Sequence, residues 1–142
     1  MRRRGIAALI GSLALAGPAT AVAASGPPKV RERFTPLRCS GKPNQRNTIQ
    51  QEGCAEHRVL ALDAKINSTA TRIWAHLPSS AARRHFAAAQ TQWIRFRHAD
   101  CVSRSDEFAG GSQAPVVFAQ CLAADDAARL TQLRGFLAAF QG

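Results

Sequence analysis

Four cysteines limit the folds open to this chain more than any other feature of its sequence. They are Cys39, Cys54, Cys101 and Cys121, in a chain of 142 residues. In an exported protein, four cysteines imply two disulfides, with three possible pairings. We favour the pairs nearest in sequence, Cys39–Cys54 and Cys101–Cys121, each of which closes a loop worth about 3 kcal/mol in the chain-entropy model. The length suits a single domain.

The start of the chain has the layout of a cleavable export signal. Three arginines (residues 2–4) precede an apolar stretch from Ile6 to Ala16, and small residues follow at 19–24. The apolar stretch is shorter than the roughly 20 residues that cross a bilayer. We predict cleavage after Ala23 or Ala24 and a periplasmic or secreted protein with no transmembrane segment. Removing residues 1–24 takes three arginines and no acid, which lowers the formal net charge from +10 to +7.

A zinc site is the alternative interpretation of two of the cysteines. Cys54 and His57 form a C-x-x-H unit, and His98 and Cys101 form its mirror image. On helices such pairs share a face, so the four side chains could form a Cys2His2 site. That arrangement would leave the other two cysteines as free thiols in an oxidising compartment. We therefore favour disulfides and expect no metal and no cofactor.

The apolar pattern beyond residue 47 predicts helices. One helix begins at Thr48, which with Gln51 resembles a capping box, and its apolar stripe recurs at helical spacing. The stripe consists of Val59, Leu62, Ile66, Ala70, Ile73 and Leu77. A second helix is predicted from about Ser80 to Val102, with a stripe of Phe86, Ala89, Trp93 and Phe96. A third has Pro115 in its first turn and leucines continuing to Phe140, with a solvated turn expected at Asp125 and Asp126.

Together these patterns predict an all-α fold, a small antiparallel three-helix bundle stapled by two disulfides. No alternating segment of useful length suggests a strand. Residues 25–47 contain four prolines and six basic residues, and we expect an irregular basic arm there. The helical domain is then 48–142. From Thr48 onward it carries ten basic and eight acidic residues, so most of the excess positive charge belongs to the arm.

Several polar residues lie beside the apolar stripes. If the first two helices fold back around Ser79, Asp63 comes opposite Arg95 and Arg97, and Asn67 comes opposite Gln90. One interpretation is a hydrogen-bonded layer that sets the register of the helices. The other is a pocket in which Arg97 binds an anion. We favour the structural layer, because partly buried charges usually need partners.

Two motifs resemble the LprI-like lysozyme-inhibitor family. The first is the stretch from Leu62 to Asn67, which is similar to the family's L-D-x-x-L-N element. The second runs through Ala89, Gln90, Trp93 and Arg97 to Cys101, at the family's spacing, and the later Cys121 is followed by residues that look like the family's Arg and Leu, Arg129 and Leu133. The resemblance covers residues 39–140. It implies a small exported helical protein with disulfides, of a family whose namesake inhibits lysozyme.

Two functional hypotheses follow, and neither is an enzyme, because no catalytic motif is present. In the first, the protein binds lysozyme through a loop at residues 106–112, which carries Asp106, Glu107 and Phe108. Lysozymes of the C type are cationic, so this needs an acidic surface on a basic protein. In the second, the arm and the Arg83–Arg84 pair bind anionic lipid or cell-wall polymer, which export makes more accessible than nucleic acid.

Overall fold

Three long helices build the part of the chain that the structure describes, as the apolar periodicity predicts. The computed structural model describes residues 25–34 and 37–141, and the predicted export signal lies outside them. The helices are α1 (Thr48–His76), α2 (Ser80–Ser105) and α3 (Ala114–Ala138), with short 3₁₀ turns at Pro43–Gln45 and Asp106–Phe108. The described residues contain no strand. The predicted all-α three-helix fold and both predicted disulfide pairings are therefore confirmed.

Local hydrogen bonds define where the helices begin. The side chain of Asn47 accepts from the backbone N–H of Gln50, and the Gln50 side chain accepts from the N–H of Asn47. The helix begins at Thr48 as predicted, but its capping box is Asn47 with Gln50, one residue before the predicted pair of Thr48 and Gln51, so the predicted capping pair was wrong. Gln51 instead donates to the backbone oxygen of Arg46. The hydroxyl of Ser79 accepts from the N–H of Ala82 and caps α2.

Helix α3 packs against both other helices, and its contact with α1 is the more extensive. α1 and α3 run in the same direction, whereas α2 is antiparallel to both. The solvated turn predicted at Asp125 and Asp126 is wrong, because α3 continues through them and Asp126 is fully buried. Three stripe residues were also predicted wrongly as core: Ala89 is exposed, Phe96 is 62% exposed, and Phe140 lies at the exposed end of the bundle.

The described residues of the N-terminal arm, 25–34 and 37–47, pack along α1. Val30 is buried in the main core, and both its backbone groups bond to the side-chain amide of Asn67. Further along, Leu37 lies over Gly53, where a Cβ atom would come within 2.9 Å of the Leu37 Cβ. The absence of a side chain at Gly53 is what allows this close approach. The arm therefore spreads its basic residues along the length of the bundle.

No helix among the described residues is long and apolar enough to cross a membrane.

Candidate functional site

The centre of the bundle holds one guanidinium surrounded by three carboxylates. Arg97 Nε lies 2.8 Å from Asp126 Oδ1, and Nη2 donates to Asp126 Oδ2 and to Asp63 Oδ1, each at 3.2 Å. Nη1 lies 3.3 Å from Glu32 Oε1. These four residues, here called the polar layer, come from the arm, α1, α2 and α3, so one side chain joins every part of the fold.

Burial controls the charge of the polar layer. Arg97 and Asp126 are both fully buried. Desolvation by burial raises the pKa of Asp126 to about 7, a shift that Arg97 opposes and that Asp63 and Glu32 reinforce. Desolvation also raises the pKa of Asp63, again against the attraction of Arg97. With a pKa of about 7, Asp126 is protonated in about half of the molecules near neutral pH.

A second set of contacts lies one turn away. Arg129 of α3 donates from Nε to Gln90 Oε1 at 2.9 Å, and Gln90 is fully buried. Trp93 lies between two cations, with its ring centroid 5.7 Å from the Arg97 guanidinium carbon and 5.4 Å from that of Arg129. Burial lowers the pKa of Arg129 from its usual value. These contacts hold α2 against α3 through cation–π and charge-assisted bonds.

The structure brings Asp63 to Arg97 but does not make the other expected pairs. Arg95 is exposed, and Asn67 bonds to the arm rather than to Gln90. The register argument assumed that α1 and α2 pack directly on each other. In the structure the arm occupies the position beside Asn67, and Arg129 of α3 occupies the position beside Gln90.

The geometry of the polar layer favours a structural role over an anion pocket. The Arg97 guanidinium does not face solvent, and its polar atoms are directed at protein carboxylates. An incoming anion would have to displace one of these carboxylates from a buried position. Buried charges of this kind are held in place by their partners.

The two disulfides remove the cysteine ligands that the zinc alternative requires. Cys54 is bonded to Cys39, and Cys101 is bonded to Cys121. A geometric cluster of Asp100, Cys101, Cys121 and Asp125 does occur, but its two sulfurs belong to one disulfide. Asp100 also forms an ion pair with Arg104 at 2.9 Å. Neither set offers thiolates to a metal in the oxidised protein.

The predicted binding loop lies beside the second disulfide. Asp106, Glu107 and Phe108 form an exposed 3₁₀ turn between α2 and α3, and Phe108 is 42% exposed. Gly110 has φ +80°, a conformation that favours glycine, and it redirects the chain into α3. The Cys101–Cys121 bond joins the two helices just behind the turn. The loop is thus short, anchored on both sides and open to a partner.

Sequence reasoning missed two of the three carboxylates around Arg97. Asp126 could have been found from spacing, because it lies four residues after Leu122 and four before Leu130 on the buried face of α3. Glu32 carries no such signal. It lies in an irregular segment, and only the path of the arm brings it within 3.3 Å of Arg97.

The fold and its central layer define a class of protein: a small helical bundle stapled by two disulfides around a buried arginine. The family model described as lysozyme inhibitor LprI matches residues 39–133, and the chain belongs to this family. The match includes Asp63, Arg97, Asp126 and the loop at 106–112. The family is one of inhibitors rather than enzymes, and its members are typically exported. No curated protein and no solved structure matches the chain.

Proposed function

We propose that this protein is an exported, non-catalytic inhibitor that binds lysozyme through the loop at residues 106–112. The observation that carries the proposal is the exposed acidic turn of Asp106, Glu107 and Phe108, braced by the Cys101–Cys121 disulfide. Membership of the LprI family supports lysozyme as the target. In this proposal residues 1–24 are removed on export, and the mature protein acts in the periplasm or the medium.

The charge on the loop itself supports binding to a cationic partner. The stretch from Ser105 to Ala128 contains four acids and no Lys, Arg or His. Two of the acids, Asp106 and Glu107, are exposed on the turn itself. Complementary charge speeds the encounter with a cationic enzyme and orients it, even when the rest of the protein is basic.

The shape of the loop suits insertion into a cleft. Phe108 offers an exposed aromatic ring between the acids and Gly110, and buried aromatic anchors contribute a large share of the energy of many interfaces. The disulfide and the two helix ends hold the turn before binding, which reduces the entropy lost on association. In the proposed complex the turn enters the substrate cleft of lysozyme and excludes the polysaccharide.

The test measures lysozyme-catalysed lysis of peptidoglycan with increasing amounts of the purified protein. We expect dose-dependent slowing, and the D106N/E107N variant should need about tenfold more protein for the same effect because it loses the charged contacts. The control variant A88K/Q92K changes the net charge by the same amount at exposed positions of α2 and should stay within about twofold of the parent.

Two outcomes would contradict the proposal. No inhibition at large molar excess, at both low and moderate salt, would refute lysozyme as the target. Equal loss of inhibition in both variants would refute the loop as the binding element, because overall charge alone would then explain the effect. A soluble neutral oligosaccharide substrate should give the same ranking, which excludes simple coating of the cell wall.

A further inference from the structure

The polar layer divides the bundle into two halves of very different charge. The turn half contains the connection between α1 and α2, and consists of residues 25–31, 64–96 and 127–141. None of these residues is Asp or Glu. Eight basic side chains of the turn half are exposed: Lys29, Arg31, Lys65, Arg72, Arg83, Arg84, Arg95 and Arg134.

The other half, here called the loop half, carries no excess charge. It consists of the described residues of 33–62 together with 98–125. Its six acids are Glu52, Glu56, Asp100, Asp106, Glu107 and Asp125, and its six basic residues are Arg33, Arg38, Lys42, Arg46, Arg58 and Arg104. The positive charge of the described protein is therefore concentrated in the turn half, and the arm contributes only two residues to it. Sequence order conceals this segregation, because each half is assembled from separate segments.

Exposed aromatic rings lie at the tip of the turn half. Phe140 stacks on His76 with centroids 5.6 Å apart, and Phe136 lies 5.3 Å from Phe140. Phe136 is 43% exposed and Phe140 is 36% exposed. Arg83, in the first turn of α2, lies over the ring of Trp74. Rings beside arginines, with no acid nearby, form a surface with both the apolar and the cationic character of a bilayer-facing element.

A cationic groove flanks this tip. Lys65 and Arg72 of α1 and Arg134 of α3 line a groove of about 370 Å³, together with Ser68 and Thr69. Three cations around one groove suit a phosphate-containing headgroup. The arm also begins at this end, since Ser25 lies in the cleft beside Thr71 and Trp74.

We propose that the turn half docks on an anionic phospholipid bilayer. Arg83, Arg84 and the groove cations contact lipid phosphates, while Phe136 and Phe140 insert at the level of the headgroups. In this orientation the loop at 106–112 points away from the membrane. The proposal is independent of lysozyme binding, because it uses the opposite end of the molecule.

The test is co-sedimentation of the purified exported protein, its N-terminus established by intact mass, with phosphatidylcholine vesicles that contain or lack phosphatidylglycerol. We expect binding only to the anionic vesicles, and a fall of about tenfold or more between roughly 0.05 M and 0.5 M salt. R83Q/R84Q should bind about tenfold more weakly. R38Q/K42Q removes the same charge from the loop half and should change binding by less than about twofold.

Variants of the aromatic residues distinguish binding to a bilayer from binding to other polyanions. F136S/F140S should weaken binding to vesicles while leaving any binding to a soluble polyglycerol phosphate unchanged, since that polymer has no apolar interior. Three results would overturn the proposal. The first is equal binding to neutral and anionic vesicles, and the second is an equal loss of binding in R83Q/R84Q and R38Q/K42Q. The third is tight binding to the polymer together with no effect of F136S/F140S on binding to vesicles. Urea unfolding of each variant confirms that the fold is retained.

Discussion

Replacing Arg97 with Met is the most direct test of the polar layer. Met has a similar length but no charge, so the three carboxylates lose their common partner. At about 3 Å and an effective dielectric constant near 20, each ion pair contributes roughly 5 kcal/mol of attraction, which offsets the cost of burying the charges. Breaking a buried pair by removing one partner typically costs about 3–5 kcal/mol, because the remaining charges stay buried and unpaired.

The structure indicates which carboxylate causes most of this loss. The Glu32 side chain is 18% exposed on the irregular arm and can turn toward solvent. Asp126 already has a pKa raised to about 7 by burial and can take up a proton. Asp63, whose side chain is 7% exposed, loses its one cationic partner and keeps the backbone N–H of Glu32 and the carboxyl group of Asp126 as hydrogen-bond partners in the variant. We therefore expect a loss of about 3–5 kcal/mol near pH 7.5 and a smaller loss near pH 5, where more of the carboxyl groups are protonated.

Urea unfolding with the disulfides intact measures this loss, followed by the fluorescence of Trp93, which lies beside Arg97, and of Trp74. Arg95→Met is the matched control: it removes one charge two residues away, from an exposed position, and should change the free energy of unfolding by less than about 0.5 kcal/mol. Replacing Asp63 and Asp126 with Leu in the R97M background should recover part of the loss. A loss below about 1 kcal/mol, or one that is equal at both pH values, would refute this account of the layer.

The remaining predictions concern Asp126 and two helical glycines. Asp126→Asn should reduce the pH dependence of stability: burial raises the pKa of Asp126 to about 7, so the native state binds more protons than the unfolded state between about pH 4 and 7, and stability falls as the pH rises through that range. A free energy of unfolding that changes equally with pH in variant and parent would contradict this. Gly53→Ala should destabilise the protein by about 1–3 kcal/mol in urea unfolding, because its Cβ would lie 3.0 Å from the backbone of Leu37. Gly135→Ala, where nothing lies within 4 Å, should instead stabilise α3 by roughly 0.5–1 kcal/mol. A higher free energy of unfolding in both variants would contradict the predicted clash, because it would show that the arm can move away from a Cβ atom at position 53.

Local signals account for the parts of the fold that were predicted correctly. Apolar spacing of three and four residues specifies helices wherever they form, and Pro78 with Ser79 separates α1 from α2 in any arrangement. The disulfide pairing was predicted from the short sequence separation of the paired cysteines, because closing a short loop costs little chain entropy. The spacing of Gln90, Trp93, Arg97 and Cys101 placed them on one face of α2, and that face is where the structure has them.

The sequence by itself thus indicated three helices, the favoured disulfide pairing and the family, although it placed a turn at Asp125 and Asp126 where α3 is continuous. Only the tertiary structure decided the partners of Arg97, because Glu32, Asp63 and Asp126 come from three separate segments and meet only when the arm lies along α1. The tertiary structure also decided where the excess positive charge lies. Counted along the sequence, most of it belongs to the arm, but in the folded protein it is concentrated in the turn half. The physical reason is the same in both cases: electrostatic interactions depend on distances between atoms, and those distances are set by how the helices and the arm pack.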